Sequence, residues 1–434
     1  MATQSPQWMA TARLLRRTGF GTTGRAVDTA VAQPDYLTAA LDADPGADPG
    51  AKATPLPEFP APAPLGKSAT TAARKAYNSS LAEQMHALSS WWLDRMVSVQ
   101  QPVHEKLTLL WHNHFATSAR KVRLASMMAA QNQTLRAGAL GDFRSLAYAM
   151  LTDPAMLRWL DGQQNSAKAA NENLSREFME LFALGHGNGY TESDVREGAR
   201  ALTGWVIKKD GQSSLVGKRH DAGDKTVLGV TGALDATSFC AAVLARPESP
   251  EYVAQRLWQQ LASDNPPPAP TLSRLVGAYG TGRDLKALTL AILTDPEFAS
   301  QPSSLVNTPV EWTVGLVRAL NVPVKPTATL IDQTLKMLGQ QPFYPPDVGG
   351  WPRGQAWLST ASAGVRLHAA TVLARKGDVS AISDAGPSDR IDAAGYLLGI
   401  GSWSDQSAAA LRPLVNRPPE LVAAAANTPE NLTS

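Results

Sequence analysis

A chain of 434 residues, 44% hydrophobic and 18% charged, is long enough for two or three ordinary domains and apolar enough to fold around a sizeable core. Its 40 Lys and Arg face 38 Asp and Glu, and a formal charge of +2 sets up no field that recruits a polyanion, so nucleic acid is excluded as the main partner. The single cysteine, Cys240, rules out an internal disulfide and a thiolate-rich zinc site.

In chain order, residues 1–42 read as an N-terminal helical segment. Arg16-Arg17 is followed by Thr18-Gly19-Phe20-Gly21 rather than an apolar run, so a cytoplasmic protein is expected. No stretch reaches the ~18 consecutive apolar residues of a membrane-spanning helix. Seven prolines between Pro45 and Pro64 predict an extended arm or linker over 43–68. A first helical unit follows over 69–237, and a second, with the C-terminal helices, over 238–434. Near 205–217, Trp205-Val206-Ile207 and Ser214-Leu215-Val216 flank Asp210-Gly211, which predicts a small β-hairpin. The expected fold class is therefore mainly α, a multi-helix array.

One internal repeat is visible. Residues 142–156 align without gaps onto 284–298 and share the string Leu-Thr-Asp-Pro. Asp153 and Asp295 are expected to cap the following helices, with Pro154 and Pro296 in first position. Leu-Trp pairs lie upstream of both copies, at Trp111 and Trp258, so a helical unit is expected twice.

Three polar clusters carry the candidate chemistry. The first is Trp111-His112-Asn113-His114-Phe115, where helical spacing turns His114 toward the core and His112 away from it. Either histidine can be a ligand, an acid, or a core residue hydrogen-bonded to backbone. The second is a helix of about four turns from Asn171 to Gly185. Its buried stripe is Leu174, Phe178, Leu181 and Phe182, with Asn173, Glu177 and Glu180 along the border and Arg176 beside them. Carboxylates three apart suit a cation, a shared proton or an arginine clamp. The third is the glycine-punctuated loop Lys218-Arg219-His220-Asp221-Ala222-Gly223-Asp224-Lys225. A late loop rich in Pro, Gly and aromatics, with Trp351 and Trp357, either walls a sugar pocket or locks onto the core. The Gly-x-Ser-x-Gly, phosphate-loop and His-Glu-x-x-His motifs are absent.

Read together, Leu14-Leu15-Arg16-Arg17, Trp111-x-x-His114-Phe115, Asn171-Glu172-Asn173 with Arg176-Glu177 and Glu180-Leu181, Thr203-Gly204-Trp205, His220-Asp221 with Lys225-Thr226, and Gly350-Trp351-Pro352 resemble the bacterial domain of unknown function 1800 family over nearly the whole chain. The resemblance brings no activity. Many members look exported, and genes of the family often neighbour those of a family with a sulfatase-like fold, which implies a partner of that kind.

The leading expectation is an enzyme whose site gathers Glu177, Glu180, His112 or His114, His220 and Asp221 as acid, base or ligand. Asn171, Asn173, Arg176, Lys225 and Trp351 would bind substrate. Glu177, Glu180 and His220 are the candidate holders of a divalent metal, and both carboxylates are expected within a few ångströms of His112, His114 or His220. The alternatives are a non-catalytic scaffold with a buried polar network, and glycan binding through Trp351 and Trp357.

Overall fold

The computed structural model describes residues 3–60, 65–66, 68–300 and 305–433; Met1, Pro62 and Pro64 lie outside the described residues. Helices follow one another from Pro6–Thr18 to Pro429–Leu432, and the strands among the described residues form two small antiparallel hairpins. The fold is mainly α. In the expected hairpin, β1 (Trp205–Ile207) pairs β2 (Ser213–Leu215) with Trp205 opposite Leu215, and Gly211 at φ +84° supplies the left-handed turn residue. The second hairpin, β3 (Lys225–Val227) and β4 (Val230–Gly232), was not expected. Leu228 and Gly229 both take positive φ at its turn, although Leu228 is no turn former.

The proline-rich segment is not extended throughout. Asp48 accepts bonds from the N–H of Gly50 and Ala51 and starts the helix Pro49–Ala53, with Pro49 where no intrahelical N–H is needed. This turn docks on the long helix Thr71–Ser98: Trp91 Nε1 donates to Thr54 O, and Arg95 donates to Ala51 O. Gly50 permits the approach, since a Cβ there would lie 1.9 Å from the Ser98 carbonyl oxygen.

Two large apolar cores organise the chain. One gathers Leu107, Leu110, Trp111, Phe143, Phe178, Phe182, Phe239 and Trp258. The other gathers Trp92, Leu109, Trp312, Phe343, Trp351 and Trp357. The helix Val103–His114 stands between them, and all twelve of its residues are buried. A helix enclosed on every side must satisfy its own polar groups. Glu105 accepts from Arg95, from Arg136 through two bonds of 2.7 Å, and from Trp92 Nε1 at 2.9 Å. Lys106 pairs with Glu311. Asn113 Oδ1 accepts from the Trp351 N–H at 2.7 Å.

The two Leu-Thr-Asp-Pro segments touch. Asp142 and Asp284 form an isolated antiparallel bridge in which the Phe143 N–H donates to Arg283 O at 3.0 Å and the Leu285 N–H donates to Gly141 O at 2.9 Å. Each aspartate then caps its own helix, Phe143–Leu151 or Leu285–Thr294.

Candidate functional site

The helix opened by Asn171 settles the site geometry. Asn171 Oδ1 accepts from the Asn173 N–H, and the α-helical turn Asn173–Glu177 passes into a π-helical stretch, Phe178–Ala183, where the Leu184 N–H reaches back to Met179 O. Wide turns of this kind are frequent at functional sites. Its end leaves carbonyls without intrahelical donors, and side chains from other elements satisfy them. Tyr252 O–H donates to Leu181 O at 2.7 Å, His114 Nε2–H to Phe182 O at 2.9 Å, and Asn188 Nδ2 to Leu184 O at 2.9 Å. Gly185 at φ +93° ends the helix beneath Tyr252.

His114 is therefore a buttress. Its contact fixes the Nε2–H tautomer, and burial, with Arg256 nearby, pushes its pKa down to about 3. His112 corrects the sequence expectation. It is turned into the second core, edge-on to Trp92, Phe343 and Trp351 at ring separations of 5.3–5.5 Å, and burial pushes its pKa down to about 3. The expectation assumed one solvent-facing side, and this helix has none. Burial thus disfavours the imidazolium form of both.

On the outer face of the π-stretch, Glu180 Oε1 lies 2.5 Å from His186 Nδ1, and Tyr190 O–H donates to Glu180 Oε2 at 3.4 Å. The His186 side chain is 85% exposed and that of Glu180 24%, so the imidazole's far nitrogen meets solvent while the carboxylate is held. Glu177, half-buried one turn earlier, has its pKa raised by burial and by the neighbouring Glu180 charge. The histidine that meets Glu180 is thus His186 rather than His112, His114 or His220. It lies in His186-Gly187-Asn188-Gly189-Tyr190 immediately after the helix, and the loop's return toward Glu180 is the signal that sequence reading passed over.

The other expected residues lie in the surrounding frame. Arg176 bridges Glu172 at 3.0 Å and Glu192 through bonds of 2.7 and 2.8 Å. Asn173 is exposed. His220 Nδ1 lies 3.0 Å from Thr203 O, and the Thr203 hydroxyl accepts from the Asp221 N–H. Arg200 holds Asp221 and Glu197 at 2.7 Å each, and its bond to Asp221 draws that carboxyl below the usual range. Lys225 is buried and donates to Gly223 O, and burial lowers its pKa. Among the described residues, no three His, Cys, Asp or Glu side chains gather as a metal-holding group, so Glu177, Glu180 and His220 do not form the expected trio. Trp351 and Trp357 are 3% and 5% exposed, and rings enclosed in the second core offer no face to a sugar.

Fold and site together define a two-core helical protein with a carboxylate–imidazole pair on a π-helical turn. The chain belongs to the family described as "Protein of unknown function (DUF1800)", whose model matches residues 13–432. No curated protein and no solved structure matches it. Among the described residues no helix is long and apolar enough to cross a membrane.

Proposed function

We propose that the protein is an enzyme of the general acid–base type, with hydrolysis as the reaction class. The observation that carries this reading is Glu180 seated on His186 Nδ1, with His186 otherwise open to solvent. A carboxylate on Nδ1 selects the Nδ1–H tautomer and leaves Nε2 as a base. Glu177, its pKa raised by burial and by the neighbouring Glu180 charge, supplies the complementary acid. The reading is tested by assaying chromogenic esters, phosphomonoesters and glycosides with the native chain and with His186→Ala and Glu180→Gln. The expected result is turnover in one class, with a loss of ~10²–10⁴-fold in both variants and unchanged melting temperatures. Turnover in none, or turnover that both variants keep, overturns it.

A second reading is a non-catalytic scaffold serving a partner protein. It is favoured by Arg176 and Arg200, each of which holds two carboxylates and ties neighbouring elements together. Under that reading Glu177→Gln loses stability before any activity. We also read 69–237 and 238–434 as two units containing a duplicated helical element. The reciprocal bonds from the Phe143 N–H to Arg283 O and from the Leu285 N–H to Gly141 O, which flank Asp142 and Asp284 at the same place in the aligned strings, support it.

A further inference from the structure

The late loop of Pro, Gly and aromatics sends Phe343, Trp351 and Trp357 into the second core, but Tyr344 stays at the edge of that core, half-buried, and lines an open cleft of about 410 Å³. The backbone at this divide is strained: Phe343 takes φ +69°, the left-handed region that a bulky side chain rarely adopts. It is held there by its neighbours, since Ser89 Oγ donates to Pro342 O at 3.3 Å and the Ala119 N–H donates to Phe343 O at 2.8 Å. Strain of this kind persists only where the surroundings over-determine it, and it clusters at ligand-binding sites.

Three helices bring basic groups to the same cleft. Thr71–Ser98 supplies His86, one turn after Ala82, whose small side chain leaves the space open. The short helix Ala119–Val122, tied to Phe343 O, supplies Arg120, and Ala328–Leu338 supplies Lys336 from its last turn. All three side chains are exposed, so a ligand can reach them, and among the described residues they make no hydrogen bond or ion pair. No carboxylate among the described residues lines the cleft. The one that acts on it is Asp332, which accepts from Gln341 Nε2 at 2.8 Å and leaves Gln341 Oε1 to accept from a ligand. Burial, and then Asp332, raise the Tyr344 pKa, so the phenol keeps its proton as a donor. Arg318, by contrast, lines a cavity of about 350 Å³ with Nη1 already spent on the carbonyls of Met96, Val97 and Val99, and the Asp48 carboxylate acts on it.

A guanidinium fork beside an ammonium suits the oxygens of one phosphate group. The volume falls within the roughly 300–1,000 Å³ of small-molecule sites and leaves room for a body attached to that group. We propose that this cleft binds a phosphate monoester of a sugar or polyol, with the phosphate on Arg120 and Lys336, His86 beside it, and the hydroxyls toward Gln341 and Tyr344. The site uses none of Glu177, Glu180 or His186, so it stands apart from the acid–base reading.

The test is calorimetric titration of the intact chain with glucose 6-phosphate, inorganic phosphate and glucose, at constant ionic strength against chloride. Saturable one-to-one binding of glucose 6-phosphate is expected, with inorganic phosphate competing more weakly and glucose alone not binding. Arg120 and Lys336 are exposed, so Arg120→Gln and Lys336→Gln are expected to keep the native melting temperature and to weaken binding about tenfold or more each. Tyr344→Phe is expected to weaken it by a smaller factor. His186→Ala and Lys209→Gln, the latter an exposed lysine on the first hairpin's turn, are expected to leave it intact. A response no different from chloride, equal binding of glucose and its phosphate, native affinity in the Arg120→Gln/Lys336→Gln double variant, or an equal loss in Lys209→Gln overturns the proposal.

Discussion

Residues 142–156 and 284–298 carry nearly one string, and their helices start in the same way, yet the two Leu-Thr-Asp-Pro carboxylates end in opposite electrostatic states. Asp153 Oδ1 accepts from the Met156 N–H and from Gln131 Nε2, each at 2.8 Å. Both donors are neutral, and burial pushes the carboxyl up to about 7. Asp295 is also pushed up by burial, but Arg274 reaches it through Nε at 2.8 Å and Nη2 at 2.9 Å, and the Glu297 N–H donates at 2.8 Å. The net result is a carboxyl below its ordinary value. Local sequence therefore decides that an aspartate caps, while a residue on the helix upstream of each segment, Gln131 on Ala125–Gly138 or Arg274 on Ala269–Tyr279, decides its charge.

The largest test of the comparison is at the upstream tryptophans. Trp111 and Trp258 are both fully buried in the first core, and their Nε1 groups donate to Ala139 O and Asn265 O. If the two segments play parallel structural roles, Trp111→Ala and Trp258→Ala should each cost ~3–5 kcal/mol in urea denaturation. A loss below ~1 kcal/mol at one of them breaks the parallel.

The next test separates the two carboxylates by pH. The Asp153 pKa in the folded protein lies above the ~4 of an unfolded carboxyl, so its stabilisation is full below pH ~4 and is lost as pH rises through 7. Asp295 has the opposite sign: its contribution is full above pH ~4 and is lost as pH falls through its lowered folded value. Asp153→Asn should flatten the stability profile between pH 4 and 7 and be the more stable protein at pH 8, by roughly 2 kcal/mol. Asp295→Asn should be the less stable protein at pH 7. Denaturation curves at pH 5 and pH 8 decide it, and equal signs for the two variants would remove the distinction.

The comparison also marks how much was legible in the sequence. Caps and turns are set by residues within a few positions, so Asp153, Asp295 and the Asp210-Gly211 hairpin could be read directly. Partners are not. Glu105 meets Arg136 across 31 positions and Asn113 meets Trp351 across 238, and no local pattern encodes those meetings. His112 was misplaced for the same reason. Helical periodicity orients a residue relative to one core, and here a second core, built from residues such as Phe343 and Trp351, covers the other side. At the site, Glu177 and Glu180 were readable from their spacing. Glu180's partner His186 depends on a glycine loop folding back, and with no periodicity to follow it went unread.

The smallest expected effect sits where the two segments meet. Asp142 caps Arg144 N–H at 3.0 Å and Ser145 N–H at 3.2 Å, and Asp284 caps Lys286 N–H and Ala287 N–H at 2.9 Å each. Both are exposed N-caps of the same geometry, so Asp142→Ala and Asp284→Ala should each cost ~1 kcal/mol, unlike the opposed pair at 153 and 295. The double variant sharpens the comparison further. The backbone bonds from Phe143 to Arg283 and from Leu285 to Gly141 join the two helix starts, so loosening one start should loosen the other. Residues in one bonded network depart from additivity by ~0.5 kcal/mol or more, whereas independent sites add within ~0.3–0.5 kcal/mol. A non-additive double-mutant cycle in denaturant is therefore expected. A strictly additive cycle would mean that each helix start stands alone and that the bridge is contact without mechanical consequence.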